Sequence, residues 1–167
     1  MGAGTGANVG LFGPETTHVT LVEPSGHMLM RLRRRAADSD VPASVALAPA
    51  ERLPLADDSA DTVVFTLVLC TVDDPDAALA EAARVLRPGG RMLFCEHVRA
   101  GDERLARWQD RLERPWRFIA AGCHANRDTE AAIRRSAFGI ESLQPGRVPK
   151  APPIMRPLIM GAARLAA

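Results

Sequence analysis

The chain opens Met1-Gly2-Ala3-Gly4-Thr5-Gly6-Ala7-Asn8, three glycines at alternate positions with only the initial methionine ahead of them. A turn of this composition sits at the carboxyl end of a buried parallel strand, where the missing Cβ atoms let the backbone pass close to a bound nucleotide. Here the turn has no strand before it. The residues therefore point to a nucleotide-type cofactor and to an α/β fold whose first strand is absent from this chain.

With 167 residues, 47% hydrophobic and 25% charged, the chain is sized for one domain, spanning 1–167, with a core of its own. Twenty-one Lys and Arg against twenty Asp and Glu leave a formal charge of +1, so nothing draws the whole chain toward nucleic acid or anionic lipid. Arg31, Arg33, Arg34 and Arg35 form one local basic cluster, either a solvated helix end or a phosphate patch. Cys70, Cys95 and Cys123 show no CxxC spacing and read as reduced thiols, neither a disulfide framework nor a zinc site. No secretory signal pattern opens the chain, and the uncharged run from Thr62 to Val72 has about half the ~20 residues a spanning helix needs. A cytoplasmic protein with no membrane span and no metal is expected. Its oligomeric state is left open.

Short apolar runs alternate with helical patterns. His18 to Val22 reads as a strand ending at Glu23-Pro24, Ser25 to Ala37 as a helix, and Val45 to Leu47 as a weak strand. Thr62 to Leu69 is a continuous apolar run suited to a strand buried on both faces of a parallel sheet. Asp74-Pro75 supplies an N-cap and an N1 proline for a helix burying Leu79, Ala82, Ala83 and Leu86, stopped by Pro88-Gly89-Gly90. Met92 to Cys95 is the next strand. A helix from about Asp102 carries Leu105, Trp108 and Leu112 on one face and breaks near Pro115. A short helix from Asp128 to Ser136, strands at Ile140 to Leu143 and Leu158 to Ala163, and a Pro-rich loop from Pro145 to Pro157 complete an alternating order.

The glycine turn alone leaves its ligand open. Gly2-x-Gly4-x-x-Ala7 fits the dinucleotide fingerprint, and Glu23 would accept hydrogen bonds from the ribose hydroxyls of NAD or of another adenosine cofactor equally well. Three later segments add context: Ala50-Glu51-Arg52-Leu53-Pro54-Leu55-Ala56-Asp57, Asp61-Thr62-Val63-Val64 and Arg84-Val85-Leu86-Arg87-Pro88-Gly89-Gly90. In this order they resemble the successive motifs of class I S-adenosylmethionine-dependent methyltransferases. Within that superfamily, Thr66 to Val72, Phe94-Cys95-Glu96-His97-Val98, Gly122-Cys123 with Arg127 and Thr129, and Pro157 to Gly161 look like the methyltransferase-like alkyl-thiol methyltransferases and their bacterial relatives. The similarity covers nearly the whole chain. It departs in the absent first strand and at Ala121, where an aspartate would precede Gly122-Cys123.

The resemblance implies a Rossmann-like, doubly wound, seven-stranded sheet lacking its first strand, which would lie between the strands ending near Glu23 and Leu69. A longer gene product is accordingly expected. It further implies that Gly2, Gly4 and Gly6 pass under the methionine and ribose of S-adenosylmethionine, with Asn8 capping the following turn and Glu23, next to Pro24, holding the ribose hydroxyls. Ala50 and Glu51 would face the adenine, and Thr66 and Leu67 the sulfonium. The acceptor would be a small molecule, with a thiol the sharpest reading.

His97 is the candidate general base, since it ends a buried strand at the carboxyl edge where ligands of such sheets bind; the alternative is a histidine that bonds a loop. Glu96 would orient a neighbour or pair with an arginine. Cys70 and Cys95 read as core thiols, whereas Cys123 and His124 fall in an acceptor-side loop. Trp108, Trp116 and Phe118 suit helix packing or a pocket lid. The absence of an Asn-Pro-Pro-Tyr tetrad argues against methylation of nucleic-acid amines, and the absence of any Tyr removes the Tyr-x-x-x-Lys pair of one oxidoreductase class. A small-molecule methyltransferase, an NAD-type oxidoreductase and a non-catalytic binding module are the readings carried forward.

Overall fold

β-branched residues at Val19, Thr20 and Val22 put β1 at Val19–Glu23, and Pro24 ends it by withholding an N–H. In the computed structural model, which describes residues 1–166, this strand belongs to the first of two compact units, Met1–Pro54, with the second beginning at Leu55. Helix α1 (Gly26–Ala37) crosses from β1 to β2 (Ala43–Leu47), and the strands pair in parallel from Val19↔Ala43 to Glu23↔Leu47. Leu29 and Leu32 of α1 pack on Val9 and Leu21, with Phe12 and Val45 against them. The arginine cluster is exposed in and before the last turn of α1, where cations suit the helix dipole.

The second unit holds a mixed sheet ordered β3-β4-β6-β5. Strands β3 (Ala60–Thr66) and β4 (Leu86–His97) are parallel, joined by α2 (Pro75–Val85). Helices α3 (Glu103–Ile119) and α4 (Thr129–Arg135) lead to β5 (Phe138–Arg147), and β6 (Pro157–Leu165) inserts antiparallel between β5 and β4. Gly161 makes that insertion sterically feasible, because a Cβ there would stand 2.1 Å from the Ser142 carbonyl oxygen and 2.7 Å from the Phe94 ring. The described residues thus form an α/β fold with six strands in two sheets.

Five elements differ from the sequence expectation. β3 stops at Thr66 instead of Leu69, because Leu67 turns to a left-handed φ of 57°. On α2 the buried set is Ala78, Leu79, Ala82 and Val85; Ala83 is only half-buried and Leu86 already belongs to β4. Pro88-Gly89-Gly90 lies within β4 as an excursion, the pairing jumping from Ala60↔Leu86 to Thr62↔Arg91. Helix α3 runs through Pro115: the proline is exposed, and the carbonyl it leaves unpaired, that of exposed Arg111, can turn to water. This helix buries Ala106 and Gln109, while Trp108 lies half exposed with the Arg111 guanidinium 5.7 Å over its ring. The Pro-rich segment is shortened by β5, which continues to Arg147, and contains a 3-10 turn at Pro153–Met155.

Candidate functional site

In the first unit the glycine turn is tied to the end of β1 by two contacts. The Ala3 N–H donates to the Val22 carbonyl at 2.9 Å, and the Gly4 N–H donates to Glu23 Oε2 at 2.7 Å. Glu23 Oε1 accepts from the Ser25 N–H at 2.9 Å, so one buried carboxylate organises the turn and the entry to α1 together. Each oxygen carries two lone pairs and accepts one of these bonds, which leaves capacity for two vicinal hydroxyls. Gly4 and Gly6 adopt φ of 56° and 83°, a region costly for residues with a Cβ. At Gly6 an added Cβ would also press on Leu32 Cδ1 at 3.0 Å, while near Gly4 the closest atom is Met28 Sδ at 3.9 Å. Gly6 therefore serves close packing on α1, and Gly4 keeps an open backbone surface. Turn and carboxylate together fit an adenosine cofactor.

Arg35 donates to the Thr5 carbonyl and hydroxyl at 3.1 and 3.2 Å, pinning the turn from the far end of α1. Asn8 does not cap through its side chain; its carbonyl accepts the Leu11 N–H at 3.0 Å, opening a 3-10 turn at Val9–Leu11. Pro24 is exposed beside Glu23, Ala50 is buried and Glu51 half-buried in the turn after β2.

In the second unit, chemistry-bearing groups gather around the loop that follows β3. Leu67 donates its N–H to the Cys95 carbonyl at 2.9 Å and then leaves the sheet. Glu96, fully buried on the neighbouring strand, accepts the Val68 N–H at 2.8 Å on Oε1 and the Cys70 N–H at 3.1 Å on Oε2. Arg127 takes the other polarity, donating to the Leu69 and Val72 carbonyls at 2.7 and 2.6 Å. A carboxylate thus holds the loop's donors and a guanidinium its acceptors. Burial pushes the Glu96 carboxyl above its ordinary value, opposed by the backbone N–H groups that favour its charge. Thr66 ends β3 half-buried, and Leu67 is partly exposed at the bend.

His97 follows Glu96 at the end of β4, with a buried imidazole that makes no side-chain hydrogen bond to another described residue. Burial alone holds its pKa below the ordinary value, so it is neutral at physiological pH. Its carbonyl accepts the buried Thr129 hydroxyl at 3.2 Å, and the His97 backbone is thereby fixed from α4. His124 differs: its Nδ1 lies 2.9 Å from Glu113, yet burial and the nearby Arg127 charge outweigh that carboxylate and keep its pKa low.

Two features of this region carry no clear sequence signal. Gln109 is buried on α3, donating to the Ala125 and Ile154 carbonyls at 2.8 and 2.9 Å while its oxygen accepts the Ala100 N–H at 2.8 Å. One amide therefore ties three loops. The second is an open cleft of about 580 Å³ lined by Glu113, Arg114, Arg117, Phe118, Ala121 and Gly122. Phe118 is 91% exposed on this cleft and so does not serve helix packing, whereas Trp116 packs among Cys70, Cys123, Ala125 and Met155 with its indole N–H unpaired. Among the described residues no cluster of His, Cys, Asp and Glu could hold a metal, and no helix is long and apolar enough to cross a membrane.

Residues 1–94 match the family described as methyltransferase domain. The human thiol S-methyltransferase TMT1A is 35% identical to this chain over 98% of the chain and 68% of that protein's length. Rat thiol S-methyltransferase TMT1B is 37% identical over 86% of the chain; the chain covers 60% of that relative. Among solved structures, a SAM-dependent methyltransferase from Methanosarcina mazei superposes with a TM-score of 0.74 at 17% identity, covering 98% of this chain and 89% of that one, a likeness of fold. The Rossmann-like arrangement, the family match over more than half of the chain and the close relatives agree: the chain belongs to the methyltransferase-domain family, and S-adenosylmethionine is the cofactor this membership implies.

Proposed function

We propose that this chain transfers the methyl group of S-adenosylmethionine to a small thiol. The observation that carries the reading is the 35–37% identity to proteins named thiol S-methyltransferases, extending over as much as 98% of the chain. When bound, S-adenosylmethionine supplies an electrophilic methyl on a sulfonium. The residues of this chain bind, align and desolvate.

In the first unit, Gly2, Gly4 and Gly6 present backbone to the methionine and ribose, Glu23 accepts the two ribose hydroxyls, and Ala50 and Glu51 line the adenine. In the second unit, Glu96 and Arg127 hold rigid the loop that begins at Thr66 and Leu67. Displacement at a sulfonium disperses charge, so alignment and exclusion of water count for more than acid catalysis. One proton remains to be moved, that of the acceptor thiol. His97 takes it: its buried imidazole is unprotonated at neutral pH and has no other partner to satisfy. A thiol suits so sparse a site, because a pKa near about 8.5 makes it the easiest common nucleophile to deprotonate. The three free cysteines support a reducing, cytoplasmic setting.

A panel of alkyl thiols, amines, phenols and carboxylates with methyl-labelled cofactor tests the reading. Transfer to thiols is expected. Transfer only to oxygen or nitrogen acceptors overturns the thiol assignment, and binding of the cofactor without transfer to any acceptor supports a non-catalytic module instead.

A further inference from the structure

Cys70 and Cys123 are separated by 53 positions in sequence, yet their sulfurs lie 3.6 Å apart, with a hydrogen bond between the thiols. Both side chains are buried, in a cluster with Ala125 and Met155. Their backbones are already locked together: the His124 N–H donates to the Cys70 carbonyl at 2.8 Å, and Gly122, at φ 90°, brings its backbone against Thr71. Cys95, the third thiol, lies on β4 outside this cluster. Two thiols so fixed need only about 1.5 Å of approach to reach the disulfide length of about 2.05 Å.

We propose that Cys70 and Cys123 are a reversible disulfide site that fastens the loop after β3 to the turn before α4. The reaction needs a two-electron oxidant, and a peroxide is the class small enough to reach a site this enclosed. The Cys123 thiolate attacks one peroxide oxygen; the O–O bond breaks, water leaves after protonation, and Cys123 becomes a sulfenic acid. The Cys70 sulfur then attacks the sulfenic sulfur, losing its proton as the S–O bond breaks and a second water departs. Two thiols and one hydrogen peroxide thus give one disulfide and two waters. Cys123 is the attacking member, since its contact with the Cys70 thiol and the Arg127 guanidinium both favour its anion, whereas Cys70 is held protonated by that same contact, by burial and by Glu96.

The consequence falls on a loop that Glu96 and Arg127 already restrain. A covalent tie would make its geometry independent of both and remove the freedom of the segment beginning at Leu67. Reduction by any accessible dithiol restores the open pair.

The test is peptide mapping of the intact chain under non-reducing conditions after brief exposure to equimolar hydrogen peroxide. A Cys70–Cys123 cross-linked peptide, two hydrogens lighter than its parts and abolished by dithiothreitol, is the expected product, and it persists in Cys95→Ser. In Cys70→Ser the sulfenic acid at Cys123 has no resolving thiol, so a dimedone adduct appears there. The proposal is overturned if both thiols alkylate freely after oxidation and unfolding, if the cross-link uses Cys95, or if Cys123 over-oxidises to sulfinic acid while Cys70 stays reduced. Because the readout is a mass, the result is independent of the methyl acceptor.

Discussion

Glu23 offers the sharpest perturbation of the cofactor site, because its two oxygens already divide their work. Oε2 accepts the Gly4 N–H at 2.7 Å and Oε1 the Ser25 N–H at 2.9 Å, leaving one lone pair on each for a ribose hydroxyl. Glu23→Ala removes the acceptors of both hydroxyls. Losing this charge-assisted pair is expected to cost about 1.5–3 kcal/mol of binding, roughly a ten- to hundred-fold rise in Kd. Glu23→Gln separates charge from shape: its carbonyl oxygen serves one hydroxyl, but its NH2 group must face either the Gly4 or the Ser25 N–H, donor against donor. It should fall between the wild type and Glu23→Ala. Isothermal titration with S-adenosylmethionine and S-adenosylhomocysteine reads the affinity, and circular dichroism confirms that β1 and α1 survive. Unchanged affinity in folded Glu23→Ala would refute the assignment of the ribose to this carboxylate.

Four further outcomes follow from the second unit. His97→Ala should slow methyl transfer to an alkyl thiol more at pH 6.5 than at pH 9, where the thiol ionises unaided; equal losses at both values count against a base at this position. Glu96→Gln leaves one of the Val68 and Cys70 N–H groups unpaired and should destabilise the fold by about 1–3 kcal/mol in urea denaturation. The raised Glu96 pKa adds a sign: its contribution is fully present below 4.5 and is lost as pH rises through the raised value, so the wild type's margin over Glu96→Gln should shrink from pH 4.5 upward, and a widening margin would contradict burial as the dominant cause. Ala121 sits at φ 50° on an exposed turn, so Ala121→Gly should raise stability by about 0.5–1 kcal/mol, seen as a higher urea midpoint; a lower midpoint would mean the left-handed backbone is not strained.

The elements that local chemistry specifies were legible in the chain. Asp74-Pro75 announces α2, and the Asp74 carboxylate accepts the Asp76 and Ala77 N–H groups at 3.0 Å as an N-cap should. Asp102 and Asp128 cap α3 and α4 in the same way. The contact of Glu23 with the glycine turn joins residues only 19 positions apart, with a 3-10 turn and the rest of β1 between them. The end of β3 was not legible. Leu67-Val68-Leu69 is as apolar as the strand before it, and what bends the backbone away is a carboxylate 28 positions from Val68 and a guanidinium 58 positions from Leu69. Periodicity cannot register a contact at that range.

The buried and half-buried polar groups of the second unit form their bonds with distant segments, which local sequence patterns do not register. Glu96, Gln109, Arg127 and Thr129 all spend their hydrogen bonds on backbone groups of other segments, and none pairs with another of the four. Each bond fixes a loop at the end of a strand, where backbone would otherwise be buried without partners at a cost of about 1–3 kcal/mol per group. Such residues are chosen for reach and polarity, which depend on the folded path of the chain. His97 is the exception, the one buried ionisable side chain here whose ring is left without a hydrogen-bond partner among the described residues. Burial keeps the proton off this ring, and in the proposed reading the neutral imidazole is the group that takes the acceptor's proton at the end of β4.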